Sequence, residues 1–253
     1  MADVSFDRKL AAEFIGTGAL VLCGPGTAAA TFGALKGTFG MAQLGVISFA
    51  FMMVIIAFIY AIGHISGCHI NPAVTIALAA AKKFSWSQVP GYLVAQFLGG
   101  IAGAYAIWAV LGKSSVAGGL GVLSYATHGF TGHAFFAELI GTFLLIFVVF
   151  GTAVDSRAAS GWYGLAIPSV VFAVITVVGP ATGAALNPAR YIGPMIARAT
   201  LHGGSAGLHW GQAPVYVISE ILAGLLAAGI YAYLGATKPE PAHAVPEQAS
   251  VSV

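Results

Sequence analysis

Long apolar runs, rather than alternating or amphipathic patterns, dominate this chain. Six of them approach or exceed the length of about 20 residues that a helix needs to cross a hydrocarbon core. They cover residues 10–31, 43–62, 91–111, 133–154, 163–178 and 215–234. Two more apolar runs, at 73–81 and 189–197, are too short to cross and predict half-helices buried within the protein. The pattern predicts an all-α membrane protein with six transmembrane helices and two re-entrant half-helices.

Both short runs begin with the same tripeptide, and the two copies contain the only two asparagines of the chain. The copies are Asn71-Pro72-Ala73 and Asn187-Pro188-Ala189. A capping Asn followed by Pro at the first helical position is a strong helix-start signal. One copy alone would indicate only a capped helix. Two copies at matching places in a membrane protein indicate a pore site.

The two halves also match outside the tripeptides. Residues 12–17 resemble 137–142, and residues 63–67 resemble 179–183. Each half has three spanning helices, an odd number, so the second half must be inverted relative to the first. We therefore expect a cytoplasmic N-terminus at 1–9, repeats at 10–111 and 133–235, a connecting loop at 112–132, and a disordered tail at 236–253, which is rich in Pro, Ala and charge.

In an inverted repeat, the two half-helices enter from opposite sides and their N-termini meet near the midplane. Each N-terminus carries a partial charge of roughly +0.5 from its unpaired N–H groups. The side-chain oxygens of Asn71 and Asn187 are expected to cap these groups, with the amide N–H directed into the lumen. Such a passage favours neutral solutes and repels cations and hydrated protons.

Composition narrows the functional classes. Hydrophobic residues make up 58% and charged residues 7% of the chain, against about 25% charged residues in soluble domains. The net charge of +2, with no basic cluster beyond Lys82-Lys83, argues against nucleic-acid binding. Placing both termini in the cytoplasm leaves most basic residues inside, as the positive-inside rule requires. The chain is therefore expected to be a multi-pass cell-membrane protein.

Few side chains are available for chemistry. Cys23 and Cys68 are the only cysteines and predict neither a structural disulfide nor a metal site. No nucleophile with a base appears, so we expect no enzyme and no cofactor. Glu13 and Glu138 are the only acidic residues that could couple an ion in a secondary transporter. Their matched positions early in two helices instead favour a role as hydrogen-bond acceptors that anchor the re-entrant loops.

These motifs together resemble the aquaporin, or major intrinsic protein, family over about residues 8–235. The resemblance rests on the two Asn-Pro-Ala boxes, on Arg190 directly after the second box, and on the Ala-Glu-x-x-Gly-Thr helix in each half. It implies a homotetramer in which each subunit has its own pore. It also implies a pore wall or vestibule formed by Gly67, Cys68, His69, Gly183 and Ala185.

The resemblance further implies a four-residue outer filter, which by spacing consists of Phe51, Ile175, Ala184 and Arg190. Phe51 and Arg190 are similar to those of a water channel. Ile175 stands where strict water channels have His and glycerol facilitators have Gly, as in archaeal-type aquaporins. The expected function is passive water conduction with slow passage of glycerol or other small neutral solutes and exclusion of ions.

Two further positions differ from the usual pattern of the family. A glycerol or small-solute facilitator is the alternative function, but Tyr191 stands where glycerol facilitators usually have Asp, which counts against it. Glu220 stands where the sixth helix of the family normally has Pro. The sequence provides no functional account of Glu220.

Overall fold

The predicted arrangement of helices is present. A computed structural model of the chain describes residues 4–126, 130–201 and 208–236. In chain order, the α-helices of this part are α1 Phe6–Ala29, α2 Met41–Ser66, α3 Pro72–Ala80, α4 Val89–Leu111, α5 Lys113–Ala117, α6 Thr131–Val149, α7 Tyr163–Thr182, α8 Pro188–Leu201 and α9 Ala213–Leu234. Within the described residues, α1, α2, α4, α6, α7 and α9 are long and apolar enough to span a membrane. The prediction of an all-α fold with six such helices is confirmed.

The helices pack as two matching sets of three. In the first half, α1 packs against α4 and α2, and in the second half α6 packs against α9 and α7. Helices α2 and α7 join the two sets. Each half-helix packs mainly across the repeat: α3 lies against α9, and α8 lies against α4. Neither half therefore encloses its own re-entrant helix, and the two halves form one core.

Glycines allow α1 and α4 to cross closely. A Cβ atom added to Gly99 would collide with the carbonyl oxygen of Phe14, and one added to Gly103 would collide with that of Gly18. Small residues at such crossings let two backbones approach and pack closely. Close packing matters in a membrane because lipid tails are as apolar as the helices, so no hydrophobic effect drives the helices together. On the outer surface, large apolar side chains are exposed; the tryptophans among them are Trp86, Trp108, Trp162 and Trp210.

Several predicted helix ends are wrong. Helix α1 begins at Phe6 instead of residue 10, so residues 6–9, which were placed before the first span, belong to the helix. Asp7 in its first turn is favourable at a helix N-terminus. Helix α7 continues to Thr182 instead of ending at 178, because Pro180 is tolerated near the helix end and Gly183 closes it with φ +81°.

The connecting segment is more structured than predicted. Residues 112–132 were expected to form a loop, but they contain α5 and a 3₁₀ turn at Gly119–Gly121. Gly112 ends α4 with φ +61°, which allows the chain to turn directly into α5. Residues 237–253, nearly all of the predicted disordered tail, lie outside the described residues.

Candidate functional site

The two Asn-Pro-Ala boxes meet at the centre of the fold and hydrogen-bond to each other's loops. The Asn71 Oδ1 atom accepts the backbone N–H of Ala73 at 2.9 Å, and its Nδ2 atom donates to the Leu186 carbonyl at 2.7 Å. Asn187 mirrors it, since its Oδ1 accepts from Ala189 N at 3.0 Å and its Nδ2 donates to the Ile70 carbonyl at 2.8 Å. Each asparagine thus caps its own half-helix and ties it to the opposite half.

This geometry adds a contact to the expectation from the sequence. The amide N–H groups were expected to point into the lumen, and each asparagine also uses its amide nitrogen to bind the other loop. An NH₂ group has two hydrogens, so one per asparagine remains for a solute. The reason is proximity: the loops lie close enough for each to offer a carbonyl to the other. Sequence spacing contains no information about that contact.

The loops before the boxes have an unusual backbone. Cys68 and Ile70 have φ values of +50° and +42°, and the repeat-related Ala184 and Leu186 have +50° and +54°. A non-glycine residue in this left-handed region costs on the order of 1–3 kcal/mol and persists only where the surroundings enforce it. For a β-branched residue such as Ile70, the conformation is rarer still. The same strain occurs in both halves, and strain of this kind clusters at functional sites.

Buried Glu13 holds the first loop in this conformation. Its Oε1 atom accepts the Ser66 hydroxyl at 2.7 Å and the His69 N–H at 2.9 Å. Its Oε2 atom accepts the Ile70 N–H at 2.6 Å and the Gln96 Nε2 at 2.8 Å. A carboxylate with four donors compensates for the cost of burying its charge.

Glu138 occupies the equivalent position at the second loop. Its Oε1 atom accepts the Thr182 hydroxyl at 2.5 Å and the Ala185 N–H at 2.9 Å. Its Oε2 atom accepts the Leu186 N–H at 2.9 Å. Both glutamates are fully buried, and their carboxylates satisfy loop N–H groups that have no other partner inside a membrane protein.

A cavity of about 510 Å³ passes along both boxes. Much of its wall is aliphatic, with side chains from α2, α6 and α7. The residues expected at the pore that line this cavity are Phe51, Gly67, Cys68, His69, Asn71, Ile175, Ala184, Ala185, Asn187 and Arg190. Gly183 does not line it: a Cβ atom there would collide with Leu123 of the connecting segment. Pro72, Ala73, Pro188 and Ala189 are buried in the half-helices.

Arg190 and Phe51 meet at one end of the cavity. The Arg190 guanidinium carbon lies 5.5 Å from the centre of the Phe51 ring, and its NH1 donates to the Gly121 carbonyl at 3.2 Å. Arg190 is only 3% exposed. Ile175 and Ala184 are also buried at this cavity, so the wall there combines one cation with three apolar side chains. This end can reject cations and orient a small polar solute.

Sequence reasoning missed three contributors to this site. Gly121 holds Arg190 through its carbonyl. Gly24 makes room for the Phe51 ring, since a Cβ atom there would collide with it. Gln96 binds both Glu13 and Thr75, the latter at 2.9 Å. Of these three residues, only Gln96 could have been noticed from the sequence, because it is a glutamine within a predicted spanning helix.

Tyr191 has a structural role that its sequence position did not reveal. It is fully buried and does not line the cavity. Its ring stacks on that of Tyr216, with centroids 4.1 Å apart. The aromatic pair packs α8 against α9 and so fixes the half-helix that carries Arg190.

The turn that follows α6 carries an ion pair whose residues do not line this cavity. There, Arg157 donates from Nε to Asp155 Oδ1 at 2.9 Å and from NH2 to Oδ2 at 2.6 Å. Tyr231 of α9 adds a hydrogen bond to Oδ2 at 2.8 Å. The Arg157 guanidinium in particular holds the pKa of Asp155 well below its usual range. Asp155 therefore stays ionised and ties this turn to the end of α9.

No group of His, Cys, Asp or Glu that could hold a metal ion occurs among the described residues.

Comparison with known proteins places this geometry in a family. The family model described as major intrinsic protein matches residues 1–231. "Aquaporin AqpM" of Methanothermobacter marburgensis is 41% identical over 249 residues, covering 91% of this chain and 98% of that protein. "Aquaporin NIP6-1" of Arabidopsis thaliana is 40% identical, covering 90% of this chain and 69% of that protein. The X-ray structure of the aquaglyceroporin from Plasmodium falciparum superposes with a TM-score of 0.77 at 25% identity, covering 90% of this chain and 96% of that one. The chain belongs to the major intrinsic protein family.

Proposed function

We propose that this protein is a passive transmembrane channel for water, with slow passage of glycerol or other small neutral solutes. The observation that carries the proposal is the pair of capped half-helix N-termini facing one cavity. Asn71 and Asn187 supply amide donors there, and both line the cavity wall. The positive ends of two helices at one point disfavour cations while leaving a neutral hydrogen-bonding solute free to pass.

The filter residues shape the proposed selectivity. Arg190 places a fixed positive charge beside the Phe51 ring at the cavity. Ile175 provides no donor at this point, and Ala184 is small. A solute with both a hydroxyl edge and a carbon edge can therefore use the polar and apolar walls together. Compared with a filter that has a histidine, this filter offers water one hydrogen-bonding partner fewer, so water is expected to pass somewhat more slowly.

A glycerol facilitator is the second candidate. The structural relative from Plasmodium falciparum is an aquaglyceroporin by its description, and the apolar Ile175 wall suits such a solute. Coupled transport is disfavoured, because Glu13 and Glu138 bind the loops and do not line the cavity. Catalysis is disfavoured as well. Of the described residues that line the cavity, Cys68 and His69 are a thiol and an imidazole, but His69 Nδ1 is hydrogen-bonded to the Thr75 hydroxyl instead of activating the thiol.

Assembly and location form part of the proposal. We infer a homotetramer in the cell membrane, with each subunit conducting through its own pore. Both termini face the cytoplasm, and lipid covers the exposed apolar side chains. The chain divides into repeats at 10–111 and 133–235, joined through 112–132, with no nucleic acid or cofactor involved.

Flux measurement without an ion gradient tests the proposal. Purified protein is reconstituted into liposomes, and the rates of shrinkage in an impermeant osmolyte and of reswelling in glycerol are followed by stopped-flow light scattering. We expect fast water movement with a low activation energy, slow glycerol entry, and no proton or sodium leak. Water permeability equal to that of protein-free liposomes would refute the channel.

Shortening Phe51 is expected to admit glycerol. The ring lines the cavity beneath Arg190, so Phe51→Ala widens this end and should raise glycerol permeability several-fold while water still passes. Phe49→Ala is the matched control, because Phe49 lies on the same helix but is 52% exposed on its outer surface. An unchanged glycerol rate in Phe51→Ala, at the level of protein-free liposomes, would refute the filter geometry.

Cys68 is expected to make the channel sensitive to membrane-permeant mercurials. Its side chain lines the cavity next to the first box, so a bound mercury atom should obstruct the passage. Cys23, the other free cysteine, is exposed on α1 and does not line the cavity. Inhibition of water flux should disappear in Cys68→Ser and persist in Cys23→Ser. The reverse pattern would place the reactive thiol outside the pore.

A further inference from the structure

The third spanning helix of each half carries a tyrosine with the same contact. Tyr92 of α4 donates to the Ser66 carbonyl at 2.8 Å, and Tyr216 of α9 donates to the Thr182 carbonyl at 2.8 Å. Both carbonyls belong to the last residue of the helix that precedes a re-entrant loop. These two bonds align α4 with α9 residue by residue, so the residues one turn further along can be compared directly.

In the first half, that residue is Gln96. Its Nε2 atom donates to Glu13 Oε2 at 2.8 Å and to the Thr75 hydroxyl at 2.9 Å, and all three side chains are buried. Glu13 is the carboxylate that holds the loop N–H groups of His69 and Ile70. Gln96 is thus a neutral donor that completes the anchor of the first loop.

In the second half, the aligned residue is Glu220. It is fully buried, and neither of its carboxyl oxygens has a hydrogen-bond partner among the described residues. Its counterpart anchor, Glu138, accepts from three donors, whereas Glu13 accepts from four. The missing donor is the one that Gln96 supplies in the first half.

No cation among the described residues forms a hydrogen bond with Glu220. The elements packed against α9 are α3, α6, α8 and the short helical segments Phe150–Val154 and Trp210–Gln212. Among them, the titratable groups around Glu220 are Glu138 on α6 and Arg190 and Tyr191 on α8, with Tyr216 on α9 itself. Arg190 instead donates to the Gly121 carbonyl beside the cavity. A second buried carboxylate next to Glu138 would therefore have no paired cation, and the backbone N–H of Asn187, which lies near Glu220 but outside good hydrogen-bond geometry, would not compensate for its charge.

A neutral carboxylic acid avoids this cost. It has nearly the shape of a glutamine side chain and offers one O–H donor in place of the N–H donor. We propose that Glu220 is a positioning residue of the second loop that remains a neutral acid and donates its proton to the Glu138 carboxylate, as Gln96 donates to Glu13. One proton is then shared between two carboxyl groups, and no covalent bond changes.

The proton shared by Glu220 and Glu138 is expected to make the stability of the second loop depend on pH. Raising the pH until the shared proton is lost removes a donor and adds a negative charge beside Glu138. The second loop, including the Ala185 and Leu186 N–H groups that bind Glu138, should then open more often. Glu220→Gln supplies a donor that does not titrate, so its loop should stay closed over the same pH range.

Two measurements on the full-length protein in liposomes test the proposal. Infrared spectra of the wild type at neutral pH should contain the carbonyl stretch of a protonated carboxylic acid, which is absent in Glu220→Gln. Hydrogen exchange at Ala185 and Leu186 should be about tenfold faster in Glu220→Leu, which keeps the volume and loses the donor. Exchange in Glu220→Gln should equal that of the wild type at neutral pH.

The first loop is the internal control, since exchange at His69 and Ile70 should be the same in all three proteins. The proposal is overturned if the protonated-acid band is absent from the wild type or survives in Glu220→Gln. It is also overturned if Glu220→Gln exchanges as fast as Glu220→Leu, or if Glu220→Leu exchanges as slowly as the wild type. If Glu220→Leu does not assemble, the infrared comparison of the other two proteins still decides. The inference rests on the proposed function only in naming the loop as part of a pore, and neither readout measures flux, so a failed water assay would not affect the result.

Discussion

Replacing Glu13 with alanine is expected to abolish the folded first loop. The change removes the acceptor of four hydrogen bonds and leaves the donors of Ser66, His69, Ile70 and Gln96 buried. Gln96 keeps its bond to the Thr75 hydroxyl, so three donors lose their partner. Each buried donor without a partner costs about 1–3 kcal/mol, so the loss of folding free energy should be at least about 3 kcal/mol. Size-exclusion chromatography and thermal unfolding in detergent should show loss of the assembled protein or a much lower unfolding temperature.

Asp7→Ala is the matched control for this variant. Asp7 lies on the same helix as Glu13, but its side chain is exposed, and loss of a favourable charge in a first helical turn costs only about 0.3–1 kcal/mol. Glu138→Ala should behave like Glu13→Ala, since its carboxylate holds the equivalent N–H groups of the second loop. If Glu13→Ala unfolded at the wild-type temperature, the loop would not depend on this carboxylate.

Exchanging either box asparagine for aspartate is expected to impair conduction without removing the helix cap. Asp keeps the Oδ1 acceptor of the half-helix N–H groups but replaces the Nδ2 donor with an oxygen. In Asn71→Asp that oxygen faces the Leu186 carbonyl, and in Asn187→Asp it faces the Ile70 carbonyl. A hydrogen bond becomes a repulsion, and a negative charge enters the positive centre of the cavity. Water permeability should fall about tenfold, with a measurable cation leak.

Gln212→Glu is the control for the amide-to-acid exchange. The Gln212 side chain is buried and binds both the N–H and the carbonyl of Tyr125, but it does not line the cavity. It should therefore affect stability without producing a cation leak. Water and sodium fluxes are measured in liposomes after assembly of each variant has been verified, and they distinguish the two box variants from the Gln212→Glu control. Normal water flux without leak in both box variants would mean that these asparagines are not the central donors.

The sequence predicted the local elements and the symmetry of this protein well. Hydropathy alone identified six spanning helices, because a membrane requires each span to be a long apolar helix with all backbone groups satisfied internally. The paired Asn-Pro starts identified both half-helices, since the cap and the proline act within one turn. The ends were less accurate: the fifth span was predicted to end at residue 178, yet α7 continues to Thr182.

The tertiary structure decided which polar groups meet. The bonds from Asn71 to Leu186 and from Asn187 to Ile70 join residues 115 and 117 positions apart, and no local pattern specifies them. The support of Arg190 by Gly121 likewise depends on how the connecting segment folds back over α8. Local signals determine where a helix starts, whereas the partner of a buried donor depends on the packing of the whole chain. By itself the sequence therefore determined the helices, the inverted repeat and the family, and only the packed structure decided how the two loops hold each other and that Glu220 lies beside the anchor Glu138.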